Sequence, residues 1–257
     1  MHACMHCPEG IVLATDTRET TIYENWLDMK PKVVDGIKKI YRVRNKVNVA
    51  IACWGLAEIP TTDNKKVDII SYLANFDRSK LGDGETVDSI ADKLRTDLES
   101  ISPPIDGSMG CHIAGFVGSD ESRKPKLRHV FHCAGWHNAG EFTNENCHTE
   151  YHTIYGNKVT FRVEKDYPVL FNGDSLIANL LFNYAPKIEQ YYGIIPNKLT
   201  LQNCEELAKM IIGTSIQRLD YFFDLRKFER MDKAVGGGID ITRITKEEFR
   251  RRHYKSV

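Results

Sequence analysis

The sequence lacks any apolar run close to the roughly 20 residues that a helix needs to cross a bilayer. It also lacks an excess of charge of either sign, because Lys and Arg together number 35 and so do Asp and Glu. Proteins that bind nucleic acid or anionic lipid usually carry a clustered basic excess. We therefore expect neither a membrane nor a nucleic acid among the partners of this protein.

A fold built on disulfides is also excluded. The seven cysteines are an odd number, and a chain of 257 residues can bury a core large enough to fold without cross-links. The first residues show no charged segment followed by an apolar one, so no secretory signal is expected. Both features favour the reducing cytoplasm. No linker or internal repeat divides the chain, and we expect a single domain over residues 1–257.

Short β-rich segments separated by turn residues predict strands arranged as hairpins. Residues 1–7 and 11–17 flank the turn sequence PEG, and residues 37–43 and 47–54 flank RNK. The basic segment 250–256 is interpreted as a solvated helix end. Further strands are expected at 111–119, 127–135, 151–163 and 235–245, and helices around 67–73 and at 86–101, 175–188 and 201–231.

This order groups strands with strands and helices with helices. Hairpins need only a few connecting residues, whereas parallel strands need a crossover of a dozen or more. The grouping therefore favours an α+β fold in which helices cover antiparallel sheets.

Four sequence blocks resemble landmarks of proteasome β-subunits and their bacterial and archaeal relatives, which are N-terminal-nucleophile (Ntn) hydrolases. The blocks are GIVLATDTRET, IKKIYRV, VNVAIACWGLAE and DKAVGGGIDITRIT, in this order along the chain. The resemblance implies a four-layer αββα sandwich with two antiparallel sheets flanked by helices. It also implies a peptidase or amide hydrolase that needs no cofactor and works in a homo-oligomer on a peptide or amide substrate. The segment at about 136–170 is extra sequence relative to the family.

The resemblance assigns catalytic roles to particular residues. Asp16 falls on the family's carboxylate at the end of the second strand, and Lys39 falls on the lysine beside the nucleophile. Trp54 or Gly55 occupies the turn whose backbone N–H stabilises the oxyanion. Asp232 falls on the carboxylate that supports the terminal amine. In the family the nucleophile is a threonine at the first residue of the mature chain, and its own α-amine acts as base.

Three departures leave this site incomplete in the chain as written. The family's threonine aligns one residue before Met1, Val235 replaces a serine, and FNGDS at 171–175 replaces a Gly-Ser-Gly turn. A threonine encoded upstream is one explanation, and Cys4 as a trimmed N-terminal nucleophile is another. The alternative function is a non-catalytic homologue that serves assembly or ligand binding.

The first seven residues contain two histidines and two cysteines. On a strand, His2, Cys4 and His6 share one face, whereas Met5 and Cys7 point to the other. A single Cys-x-x-Cys motif does not complete a tetrahedral zinc site. We therefore expect these residues to pack in the core, where cysteine behaves as a small apolar residue.

A second group of metal-ligand residues lies within the extra sequence and at its borders. Cys133, His137, Cys147 and His152 have the spacing C-x3-H-x9-C-x4-H, which is near common zinc spacings without matching them. One hypothesis is a structural zinc ion, and with it a zinc-stabilised binding protein as a further alternative function. The competing interpretation is a set of loop and strand residues with no common ligand.

Overall fold

The computed structural model describes the chain in eleven ranges, which contain fourteen strands and three helices. The ranges are 2–7, 9–21, 32–44, 48–55, 57–101, 108–117, 124–134, 147–153, 169–172, 199–226 and 235–255. The strands are β1 His2–Cys7, β2 Gly10–Asp16, β3 Glu19–Thr21, β4 Lys32–Val34, β5 Ile40–Arg42, β6 Val49–Gly55, β7 Glu58–Pro60, β8 Lys66–Asp68, β9 Ser108–Val117, β10 Lys124–Ala134, β11 Cys147–Thr153, β12 Val169–Asn172, β13 Ile239–Ile244 and β14 Phe249–Tyr254. The helices are α1 Ile69–Lys80, α2 Val87–Ile101 and α3 Leu201–Arg226.

The strands form two five-stranded sheets in which every neighbouring pair is antiparallel. The first sheet has the order β12-β1-β2-β13-β14, and the second has the order β11-β10-β9-β6-β5. Strands β3 and β4 and strands β7 and β8 form two small ribbons. Both predicted hairpins are present, because β1 pairs with β2 and β5 pairs with β6. The expected mixture of helices with antiparallel sheets is confirmed.

The core is divided into three apolar clusters by the period-two alternation of the strands. Met5 and Val12 of the first sheet pack with Ile211 of α3. In the second sheet, residues such as Ile51 contact α1 and α2. The third cluster joins the facing sides of the two sheets, with Cys4, Ile11, Leu13 and Ile244 from the first and Ile40, Ala50, Ala52, Ala114 and Leu127 from the second.

The N-terminal strand has the two faces expected from its sequence. Cys4 lies in the cluster between the sheets, whereas Met5 and Cys7 lie in the cluster with α3. All three side chains are buried. The two cysteines therefore pack as small apolar residues, as predicted.

The helices follow their sequence signals. The Thr86 hydroxyl accepts a hydrogen bond from the backbone N–H of Ser89 at 3.1 Å, which caps α2 as expected. Asp68 caps α1 in the same way through Ser71. Within the described residues, no helix combines the length and the apolarity that crossing a membrane requires.

The interpretation of the basic tail as a helix end is wrong, because residues 249–254 form strand β14 at the edge of the first sheet. Their side chains alternate between two buried carboxylates. Arg252 contacts Glu205 of α3, whereas Arg251 and His253 contact Asp240 of β13. These contacts neutralise part of the basic charge and hold the strand in place.

Two further predictions concern the strand expected at 151–163 and the helix expected at 175–188. Strand β11 begins at Cys147, four residues before the expected start at Tyr151, within a stretch that reads as polar loop. The helix expected at 175–188 lies outside the described residues.

Glu205 joins α3 to the last two strands of the first sheet. Its carboxylate is fully buried and accepts hydrogen bonds from Arg243 Nε, Arg252 Nη1 and the hydroxyl of Tyr254. Burial raises the pKa of Glu205, but the Tyr254 hydrogen bond and the Arg243 charge outweigh it, so the pKa is lowered overall. The group is therefore a compensated buried charge.

Replacing Glu205 by Ala is expected to lower the free energy of unfolding by about 1–3 kcal/mol, because Arg243, Arg252 and the Tyr254 hydroxyl lose their shared acceptor. The matched control is Glu206→Ala, since Glu206 is the next residue of α3 and is exposed. Its effect should stay within about 0.5 kcal/mol. Urea denaturation of both variants measures the difference, and equal stabilities would contradict the structural role of Glu205.

Candidate functional site

Asp16 and Lys39 form an ion pair at the end of β2. Lys39 Nζ donates to Asp16 Oδ1 at 2.9 Å. The Asp16 side chain is 0% exposed and that of Lys39 is 18% exposed, so the pair is largely withdrawn from solvent. The two residues are 23 positions apart in sequence, and the fold brings them into contact. Their catalytic roles stay a prediction.

Backbone groups hold the second oxygen of the same carboxylate. Asp16 Oδ2 accepts from the N–H of Arg18 at 3.2 Å and from the N–H of Gly236 at 3.3 Å. Burial raises the pKa of Asp16, but nearby positive charge, including that of Lys39, outweighs burial, and the pKa is lowered overall. Asp16 is therefore a charged acceptor at neutral pH.

The backbone of Lys39 is held by the strand that leads to the proposed oxyanion turn. The Lys39 carbonyl accepts from the N–H of Cys53 at 2.8 Å. Strand β6 continues from Cys53 through Trp54 to Gly55, where it ends. Gly55 has φ of +84°, which favours glycine and turns the chain. Lys39 and both oxyanion candidates thus lie on directly linked backbone segments.

The glycines at 236–238 let the chain pass close to the end of β2. Thr17 exchanges two hydrogen bonds with Gly238: its N–H donates to the Gly238 carbonyl at 3.0 Å, and its Oγ1 accepts from the Gly238 N–H at 2.7 Å. Gly237 has φ of +70°, and a Cβ there would lie 2.7 Å from Thr17 Oγ1. A Cβ on Gly236 would overlap the Arg18 guanidinium. A side chain at either position would therefore displace Arg18 or Thr17 from its present place beside Asp16.

Arg18 and Asp35 form a second ion pair beside the first. The Arg18 guanidinium donates to both carboxylate oxygens of Asp35, at 2.8 and 3.2 Å. The Asp35 side chain is 50% exposed, in contrast to the buried Asp16. Sequence reasoning missed Thr17, Arg18 and Asp35 as parts of the site. The only available signal was that Thr17 and Arg18 directly follow Asp16.

The first strand begins beside this group. His2 is paired with Thr15 on one side and with Asn172 of β12 on the other, so β1 starts one residue from the Asp16 position of β2. The His2 ring is buried and meets the ring of His112, in the second sheet, edge-on at 4.2 Å. The described part of β1 therefore begins at the end of β2 that carries Asp16.

The remaining candidates from the sequence are either outside the described residues or part of the core. Asp232 and His137 lie outside the described residues. Val235 is buried and packs in the cluster with α3. The described part of the chain contains no group of three or more His, Cys, Asp or Glu side chains that is arranged to hold a metal ion.

The backbone register locates three of the four zinc candidates. Cys133 is opposite His148, Cys147 is opposite Ala134, and His152 is opposite His129. Cys133 and Cys147 are thus at adjoining pairs of β10 and β11. His152 lies five residues from Cys147 along β11, about 16 Å at the rise of an extended strand. The zinc hypothesis stays a prediction.

Comparisons with known proteins identify no family. No protein-family model matches the chain, and no curated protein matches it. Among solved structures, the chain is similar to Anbu (ancestral beta-subunit) from Yersinia bercovieri, with 12% sequence identity and a TM-score of 0.49, over 99% of this chain and 87% of that chain. Identity at this level assigns no function, so the chemistry of the site has to follow from its own residues.

Asp16→Asn is expected to lower the free energy of unfolding by about 3 kcal/mol at neutral pH, because it removes the charge that compensates a largely buried lysine. The control is Asp35→Asn, whose exposed ion pair should contribute about 0–1 kcal/mol. Chemical denaturation of both variants gives the comparison.

The difference in stability between wild type and Asp16→Asn should also depend on pH. The pKa of Asp16 is lowered from 3.8 in the folded protein, so its charge stabilises the fold fully above that pH. This contribution declines as the pH falls through the folded pKa, and the difference between wild type and Asp16→Asn should shrink there. A difference that stays constant down to the acid transition would contradict the assignment.

Proposed function

We propose that the protein is an amide or peptide hydrolase of the N-terminal-nucleophile class, and that its two sheets and their helices form the four-layer αββα arrangement of that class. The observation that supports this most directly is the buried Asp16–Lys39 ion pair beside the start of β1. The four sequence blocks that resemble proteasome β-subunits also support it, and two of them contain Asp16 and Lys39 themselves. The other two blocks contact the pair through the backbone. The Cys53 N–H of β6 donates to the Lys39 carbonyl, and the Gly236 N–H before β13 donates to Asp16.

The proposed nucleophile is a hydroxyl or thiol on the first residue of the mature chain. Its proton passes to the α-amine of the same residue, which has an ordinary pKa of about 7.7–8.0 and is partly neutral at working pH. The nucleophile attacks the amide carbonyl carbon, and the amide C–N bond breaks as the leaving amine takes the proton. Water then hydrolyses the acyl group and restores the enzyme.

Lys39 and Asp16 tune this first residue in the proposal. The Lys39 ammonium group favours the deprotonated form of a neighbouring nucleophile by its positive charge. Asp16 holds the ammonium group in position at 2.9 Å and keeps its charge because burial is compensated. The backbone N–H at Gly55 is the proposed donor to the oxyanion, since Gly55 ends the strand that anchors Lys39.

The test begins with protein produced from its own genomic region, including the DNA upstream of the first Met codon. Peptide mass spectrometry identifies the first residue, and a β-lactone or epoxyketone probe labels a working terminal nucleophile. We expect an adduct on the first residue of the mature chain and on no internal residue. A folded protein that forms no adduct would contradict the hydrolase proposal and favour the non-catalytic homologue.

Lys39→Met is expected to reduce the labelling rate by about 100-fold or more, the usual contribution of a group that assists proton transfer. The matched control is Lys38→Met, because Lys38 is the preceding residue and is exposed. It should retain the wild-type rate. An unchanged labelling rate in Lys39→Met would remove Lys39 from the mechanism.

A further inference from the structure

Two cysteine thiols lie against each other directly behind the candidate site. Cys53 of β6 and Cys111 of β9 are opposite each other in the register, and their Sγ atoms are 3.4 Å apart. Both side chains are buried in the cluster that the second sheet forms with α1 and α2. The pair takes no part in the proposed hydrolysis.

The positions of the two residues match the geometry of a disulfide bond. Directly opposite residues of antiparallel strands have Cα atoms about 4.5–5.5 Å apart, within the range of about 4.4–6.8 Å that disulfides span. A bond length of about 2.05 Å requires the sulfur atoms to approach by roughly 1.4 Å. Side-chain rotation and a small shift of one strand supply that movement.

The thiols are protected from reaction while the fold is closed. The hydrogen bond with Cys111 and burial raise the pKa of Cys53 well above its ordinary value. Thiolates, and not thiols, attack disulfides. Reaction therefore requires a local opening of the helices over the second sheet, which folded proteins undergo without unfolding completely.

Cys53 also connects this pair to Lys39. The Cys53 N–H donates to the Lys39 carbonyl at 2.8 Å, and β6 lies between β9 and β5 in the second sheet. A bond to Cys111 draws Cys53 towards β9, which is away from the side of β6 that holds Lys39. The backbone hydrogen bond to Lys39 is then weakened.

We propose that Cys53 and Cys111 are a modification site that closes into a disulfide on contact with a low-molecular-weight disulfide, and that the bond loosens Lys39 from Asp16. One thiolate attacks a sulfur of the oxidant, whose S–S bond breaks and releases one thiol. The second protein thiolate then displaces the other half as a second thiol. Two electrons pass to the oxidant, and the two protons leave with its thiols. This inference does not depend on hydrolase activity.

The first experiment maps the bond in the full-length protein. The folded chain is incubated with oxidised glutathione, its remaining thiols are blocked, and a non-reducing digest is analysed by mass spectrometry. We expect a linked peptide pair that contains Cys53 and Cys111. The pair should be absent from Cys53→Ala and Cys111→Ala and retained in Cys4→Ala, which removes another buried cysteine.

One other thiol pair provides an internal comparison. Cys7 and Cys204 are also hydrogen-bonded, and their hydrogen bond lowers the pKa of Cys7 to about 7. Failure of the Cys53–Cys111 link to form, or a link only between Cys7 and Cys204, would overturn the proposed site.

The second experiment measures the effect on Lys39. An amine-acylating reagent is applied to reduced and oxidised protein, and the labelling rates of Lys39 and of its exposed neighbour Lys38 are compared. Oxidation should raise the ratio of Lys39 to Lys38 labelling by about threefold or more, the effect of weakening one hydrogen bond. The ratio should not change in Cys111→Ala. A disulfide that forms with no change in this ratio would overturn the connection to Lys39.

Discussion

Asp16 keeps its negative charge inside the protein because Lys39 Nζ and two backbone N–H groups surround its carboxylate. A buried carboxylate without such partners would be protonated or would destabilise the fold. The partners come from three separate parts of the chain: the loop after β2, the segment before β5 and the glycine run before β13. Because β2 and β13 belong to the first sheet and β5 to the second, the charge on Asp16 requires the two sheets to be packed in their native positions.

This requirement explains local sequence features that are otherwise unrelated. The glycines at 236–238 allow a backbone N–H to reach Asp16 without a side chain overlapping Arg18 or Thr17. Cys53, through its N–H, fixes the backbone of Lys39 from the neighbouring strand. The proposed catalytic group and the thiol pair behind it are thus parts of one hydrogen-bonded unit.

Turn residues and the alternation of apolar residues predicted several strands and helices, but they did not predict which side chains meet at the candidate site. The β1–β2 hairpin follows from a turn between two apolar runs, and the two faces of β1 follow from period-two alternation. Asp16 and Lys39 were paired only through a resemblance to a known family, because spacing alone does not show contacts over 23 positions. The Arg18–Asp35 pair was missed for the same reason. Strand β14 was mistaken for a helix end because its arginines look solvated until the buried carboxylates of Glu205 and Asp240 are located.

The pKa of Asp16, followed by NMR titration of its carboxyl carbon in wild type and in Lys39→Met, tests the central claim most directly. A compensated buried carboxylate should titrate below 3.8 in wild type. In Lys39→Met its pKa should rise, because burial is then opposed by one fewer positive charge. An Asp16 that titrates at or above 3.8 in the wild-type protein, or that does not respond to the loss of Lys39, would contradict the account.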